Sequence, residues 1–225
     1  MKLEKILKKH QQNFSGLFPF SLKEKKIFQL DLSVNNEALH TFDLFSIEEL
    51  QAYIDRELVE NKSEVAIGGY AEDRMVYRKS THFGEGDNAR SIHLGVDIWL
   101  AANTAIQAPL DARVHSFQNN NNFGDYGPTI LLEHELDGEV FYTLYGHLTR
   151  SSIKTLEEGQ IIKKGKVFTA VGNKDENGKW PPHLHFQLIR EMGNQKGDFP
   201  GVASKKEKNK MLGICPDPNL ILNLY

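Results

Sequence analysis

The sequence contains almost no cysteine. Cys215 is the only one in 225 residues, which excludes an intramolecular disulfide and any zinc site built from thiolates. Positive charge is not in excess either: 27 Lys and Arg stand against 30 Asp and Glu, a formal net charge of −3. A nucleic-acid binder usually shows a basic face, so the balance argues against that class. No apolar run approaches the roughly 18 to 20 residues that a membrane helix needs. The first ten residues, Met1-Lys-Leu-Glu-Lys-Ile-Leu-Lys-Lys-His10, carry charge throughout. Without an apolar core and a small-residue cleavage site they do not read as a secretory signal. The expected location is therefore the cytoplasm, or the periplasm or cell exterior if a leader has been removed. Internal repeats of about 20 to 50 residues, the mark of a solenoid or propeller, are missing as well.

What is present suits a folded chain. Hydrophobic residues make up 40% and charged residues 25%, ordinary values for a globular protein. The pattern changes near residue 70. Before it, Leu3, Ile6 and Leu7 recur at helical spacing, and Phe28, Leu30 and Leu32 alternate as in a strand. Ser46 followed by Glu49 predicts a capping box, with the glutamate reaching back to the cap. Ile47, Leu50, Ile54 and Leu58 then continue at a 3.6-residue period to about Asn61. Gly68-Gly69 marks a turn. Beyond it come short alternating runs at Thr129 to Glu133, Glu139 to Leu144, Gly165 to Val171 and His183 to Ile189. Asp137-Gly138 between two of them predicts a hairpin. The expected fold class is mainly β, a mostly antiparallel architecture over residues 71–225, preceded by an α+β extension over residues 1–70.

Nine histidines are present, and four of them, with one aspartate, sit in three compact segments. In Ile92-His93-Leu94-Gly95-Val96-Asp97-Ile98, alternation places His93 and Asp97 on one face. A straight strand would hold them about 13 Å apart at ~3.3 Å per residue. Zinc ligands lie only ~2.0–2.2 Å from the metal, so both can ligate only if the backbone bends, and Gly95 between them permits that. In Phe141 to Leu148, His147 follows a run of strong β-formers and Gly146. In Trp180-Pro-Pro-His183-Leu-His185-Phe-Gln187-Leu188, the three leucine and phenylalanine positions face the core and His183, His185 and Gln187 share the other face. A bland alternative stands beside each segment: surface polar residues on a strand edge, or a satisfied half-buried histidine. His134-Glu135 is followed by Leu136-Asp137-Gly138, which breaks the His-Glu-x-x-His helix motif and leaves a site carried on strands.

The ordered set His-x-x-x-Asp, Tyr-Gly-His-Leu and Pro-His-Leu-His-Phe resembles the lysostaphin/LytM-type zinc metallopeptidases over roughly residues 90 to 190. Ala108-Pro109-Leu110-Asp111, Asp125-Tyr126-Gly127 and Val171-Gly172 extend the likeness. Further stretches, among them Trp180-Pro181-Pro182, Gly197 to Ala203 and Pro216 to Asn219, resemble the peptidase-like modules found fused to aminotransferases. Where the family usually has Gly-Thr after the first motif this chain has Asn103-Thr104, and Lys179-Trp180-Pro181 replaces the usual Ser-Thr-Gly. The resemblance implies an antiparallel two-sheet barrel-sandwich hybrid fold of the LytM/lysostaphin kind. It also implies one Zn²⁺ held by His93, Asp97 and His185, and two catalytic histidines, His147 and His183. Tyr145, expected on the same face as His147, is a candidate substrate contact, with a core tyrosine as the other reading. The implied activity is hydrolysis of a peptide amide bond by a peptidoglycan-type endopeptidase, with a peptide or peptidoglycan fragment as partner. Two other readings are a non-catalytic binding or regulatory module and a zinc hydrolase of a cytosolic substrate unrelated to the wall.

Overall fold

The computed structural model describes residues 2–78 and 89–224, Arg78 by its backbone alone. Helix α1 (Lys2–His10) is amphipathic as its spacing predicts, and buries Leu3 and Leu7. Each such side chain stabilises the fold by about 1.5–3 kcal/mol when taken from water. Strand β1 (Ile27–Leu30), helix α2 (Ile47–Glu60) and strand β2 (Val65–Gly68) form a β-α-β unit in which β1 and β2 run parallel. The start of α2 departs from the expected capping box. The Ser46 hydroxyl accepts the Glu49 amide at 3.2 Å, but the Glu49 carboxylate accepts the Asp43 amide, at 2.8 Å, because the Ser46 amide already donates to the Asp43 carbonyl.

A single turn, α3 (Met75–Arg78), precedes β3 (Arg90–His93), β4 (Val96–Trp99), β5 (Ala105–Gln107), β6 (Ala112–Asn120), β7 (Gly127–Leu136) and β8 (Glu139–Gly146). Then follow β9 (Ile161–Ile162), β10 (Val167–Ala170), β11 (His183–Ile189), β12 (Val202–Ser204), α4 (Lys208–Ile214) and α5 (Asn219–Leu222). The protein is mainly β. Eight strands form one sheet in the order β1-β2-β4-β11-β8-β7-β6-β9, and the pairs β10-β5 and β12-β3 form two small sheets. Among the described residues the strands do not close a barrel: β1 and β9 are the edges of the large sheet. Every pairing in the large sheet is antiparallel except that of β1 with β2. The exception follows from α2, since a strand that returns through a helix comes back in the same direction.

The β7-β8 hairpin turns at Asp137 and Gly138, both at positive φ (49° and 75°), the backbone of the predicted tight turn. Both faces of the sheet are covered. Ile130 and Leu132 of β7 enter one core with Leu3, Leu7, Leu184 and Phe186, while Leu131 enters another with Leu94, Leu144 and Ile189. A third core lies under α2 and gathers Leu32, Leu39, Leu44, Leu50 and Trp99. Among the described residues no helix is long and apolar enough to cross a membrane.

Candidate active site

Strand β11 lies in the middle of the large sheet, between β4 and β8. Its pairing sets His185 opposite Asp97 on one side and opposite Gly146 on the other. Register thus brings two of the three histidine segments and the Asp97 strand together without any long side-chain reach. His93 joins them because the chain turns between β3 and β4: β3 pairs with β12 in a separate sheet, and β4 with β2 and β11 in the large one. The turn falls at Leu94-Gly95. A Cβ on Gly95 would sit 2.7 Å from the His185 ring and from the Phe186 carbonyl, so only glycine lets the strands approach this closely.

The bend brings His93 Nε2 to 3.4 Å from Asp97 Oδ1, far from the separation of a straight strand. His185 Nδ1 lies 3.0 Å from His93 Nε2 and 3.0 Å from Asp97 Oδ1. His93, Asp97 and His185 therefore form a group able to hold a metal ion, and all three are buried. The donor chemistry fits. His93 Nδ1–H donates to the Gly69 carbonyl at 3.0 Å, and His185 Nε2–H donates to Gln187 Oε1 at 3.0 Å. In that tautomer each ring turns a lone pair toward the carboxylate oxygen. Three converging lone pairs repel unless a cation lies among them. Ligand atoms at ~2.0–2.1 Å around a tetrahedral zinc are about 3.3 Å apart, close to the separations seen here.

His147 and His183 stand beside this group, their ring centroids 4.2 Å apart. Each Nδ1–H is tied to a carbonyl: His147 to Asn177 at 2.8 Å, His183 to Pro181 at 2.7 Å. Neither Nε2 makes a hydrogen bond to another described residue, and both residues line a cavity of about 350 Å³ that also touches Asp97 and His185. Trp99 stacks on the His183 ring at 4.1 Å. Burial pushes the His183 imidazole down to about 4 and that of His147 well below its ordinary value. Burial, with the Arg74 guanidinium nearby, pushes His93 down to about 4. Burial alone would raise the Asp97 carboxyl, but Arg74 and the surrounding histidines hold it well below the usual carboxylate range. At neutral pH the pair His147 and His183 is thus uncharged, each ring a weakened base, and Asp97 is an anion.

Tyr145 is placed elsewhere. It is fully buried between Phe168 and Phe186, shares a hydrogen bond with Thr143, and does not line the cavity. The reason lies in the backbone. Strand β8 ends at Gly146, and His147 adopts φ 62°, so the two-residue alternation that would align Tyr145 with His147 is broken. Other residues reach the site without having been singled out for it. Tyr126, whose hydroxyl lies 3.5 Å from His185 Nε2, falls in the noticed Asp-Tyr-Gly stretch. Arg74, 2% exposed and paired with Asp97, carries no spacing signal at all.

Two imidazoles and a carboxylate that converge on one point, with two uncharged imidazoles at a shared cavity, form a constellation suited to metal-assisted hydrolysis. Residues 91–197 match Peptidase family M23, and over this stretch the chain resembles the lysostaphin/LytM-type peptidases. One curated relative is the L-Ala--D-Glu endopeptidase of Bacillus subtilis (strain 168), 27% identical over 128 residues, or 55% of this chain and 37% of the relative. The chain thus spans little more than a third of that relative's length. Among solved structures, the catalytic domain of the antimicrobial peptidase lysostaphin from Staphylococcus simulans is 23% identical, covering 57% of this chain and 85% of that one, at a TM-score of 0.39. A zinc containing peptidase from Vibrio cholerae is 24% identical, covering 44% of this chain and 27% of that one, at a TM-score of 0.36.

Proposed function

We propose that the protein is a zinc-dependent metalloendopeptidase that hydrolyses a peptide amide bond of the peptidoglycan type, with residues 71–225 as the peptidase domain and residues 1–70 as its extension. His93 Nε2, Asp97 Oδ1 and His185 Nδ1 would hold one Zn²⁺, which supplies Lewis-acid polarisation of the scissile carbonyl when bound. His147 and His183 are the proton carriers. Their Nδ1–H bonds to backbone carbonyls fix the tautomer and leave each Nε2 a lone pair. One of them accepts the proton of the attacking water at Nε2, and the other steadies the charge that develops on the carbonyl oxygen in its imidazolium form, with Nε2 as well as Nδ1 protonated. The accepted proton then passes to the leaving nitrogen.

The observation that carries this reading is the convergence of three lone-pair donors on one point beside a cavity bordered by two uncharged imidazoles. The polar atoms around the cavity agree with a peptide substrate. Arg74 Nη2, Trp99 Nε1 and Trp180 Nε1 are buried donors without an acceptor among the described residues, and all three residues line the cavity. A chain of amide carbonyls is the complementary partner. The test is hydrolysis of oligoglycine and L-Ala-γ-D-Glu peptides by zinc-loaded protein, followed by mass spectrometry. Cleavage that disappears with chelator and returns with zinc supports the proposal. A zinc-loaded protein that leaves every peptide intact points instead to a binding module.

A further inference from the structure

The segment that runs before the matched stretch is built into the candidate metal centre. Ala71 N–H donates to the His93 carbonyl at 2.9 Å, His93 N–H donates to the Glu72 carbonyl at 2.9 Å, and Arg74 N–H donates to the Ser91 carbonyl at 2.9 Å. Asp73 also bridges Ile92 in antiparallel fashion. Residues 69–74 therefore lie along β3 like a short extra strand. The segment holds His93 twice, by the Gly69 carbonyl at its ring and the Glu72 carbonyl at its backbone. It then delivers Arg74 to Asp97.

Arg74 is 2% exposed and faces two carboxylates. Its Nη1 donates to Asp97 Oδ2, and its Nε donates to Glu72 Oε2 at 2.9 Å. Glu72 is itself fixed, since its Oε1 accepts the Leu32 amide at 3.2 Å. The two oxygens of Asp97 are thus divided: Oδ2 belongs to the guanidinium and Oδ1 to the histidine pair. A guanidinium is rigid and planar, so engaging it with Glu72 on one edge and Asp97 on another fixes the plane of the Asp97 carboxylate.

We propose that Arg74 is a positioning residue for the metal centre: backed by Glu72, it locks Asp97 so that a single oxygen, Oδ1, is presented to the ion that His93 and His185 also hold. The proposal rests on the metal reading given above. It extends that reading to a residue outside 91–197 and makes the segment 69–74 part of the ion-holding apparatus.

The experiment measures Zn²⁺ affinity by competition with a chromophoric chelator, and the visible spectrum of the Co²⁺-substituted protein. It compares the unaltered chain with His185→Ala, Arg74→Gln, Arg74→Lys and Glu72→Gln. His185→Ala is expected to abolish binding. Arg74→Gln is expected to weaken zinc binding by about 10- to 100-fold, the usual effect of removing a partner that orients a ligand, and to shift the cobalt bands. Arg74→Lys keeps the charge without the fork and is expected to recover only part of the affinity. Glu72→Gln should give a smaller loss in the same direction, and it decides the matter if Arg74→Gln does not fold. A purely structural role would lower the stability of the chelator-treated protein while leaving affinity and cobalt spectrum unchanged. That result in Arg74→Gln, or in Glu72→Gln where it must stand in, overturns the proposal while sparing the metal reading. If the unaltered chain binds zinc no better than His185→Ala, the metal reading falls and the proposal with it.

Discussion

His134 and His183 are both buried histidines pushed down to about 4 by burial, yet they differ in what their rings face. His134 donates from Nδ1 to the Asp111 carbonyl at 3.1 Å and accepts the Thr143 hydroxyl at Nε2 at 2.8 Å, with Phe141 stacked on its ring. Both nitrogens are occupied, and the residue is a polar rivet within the sheet. His183, like His147, has one nitrogen tied to a carbonyl and the other turned toward the cavity. A depressed basicity is common to both regions. Reactivity is separated from packing by the nitrogen that the protein leaves without a hydrogen bond among the described residues.

That contrast can be broken most decisively at the cavity. His93→Ala or His185→Ala should lose bound zinc and reduce peptide hydrolysis to background, as read by metal analysis alongside the peptide assay. His147→Ala and His183→Ala should keep zinc and lower kcat by about 10²- to 10⁴-fold, the range for removing a general acid–base group. Zinc loss in the latter pair would show that the two histidines belong to the ligand set.

The pH dependence of stability tests what the two regions share. His93, His134 and His183 titrate near 4 when folded and near 6.5 when unfolded, so between these values the unfolded chain binds more protons. Stability from these groups is therefore fully present above about pH 6.5 and is lost as the pH falls toward 4, each group contributing up to about 3 kcal/mol. Urea midpoints of chelator-treated protein at pH 7.5, 5.5 and 4.5 should fall in that order, and a flat profile would contradict the buried, uncharged rings. At a single pH, His134→Ala should cost about 2–4 kcal/mol through the cavity and the lost hydrogen bonds to Asp111 and Thr143, with zinc affinity intact. The smallest effect belongs to Ser46→Ala at the start of α2. It should cost about 1 kcal/mol by denaturant titration and leave the metal centre untouched.

Much of this architecture is written in local pattern. The β7-β8 hairpin follows from Asp137-Gly138, α2 from its cap and period, and the bounds of β11 from alternation behind two prolines. Gly95 announces the bend that joins His93 to Asp97, because without a bend the pair is too far apart. Asn103, where the resembling family has glycine, takes φ 65°, a conformation that asparagine tolerates better than most residues. Three features escape such reading, each for a physical reason. The parallel pairing of β1 with β2 depends on where α2 packs, which is a tertiary matter. The left-handed backbone at His147 turns that ring off the face that Tyr145 occupies, and no neighbouring residue type foretells it. Arg74 reaches Asp97 across a distance of 23 residues in sequence, through strand pairing that no periodicity encodes.

The place of β2 in the sheet has a practical consequence. It covers the outer side of β4, the strand that bears Asp97. Trimming the chain back to the matched stretch would strip that cover and expose a row of unpaired amides and carbonyls one strand away from β11. Such a raw border invites pairing with a neighbouring molecule, so a shortened version is expected to stick to itself before it can be assayed.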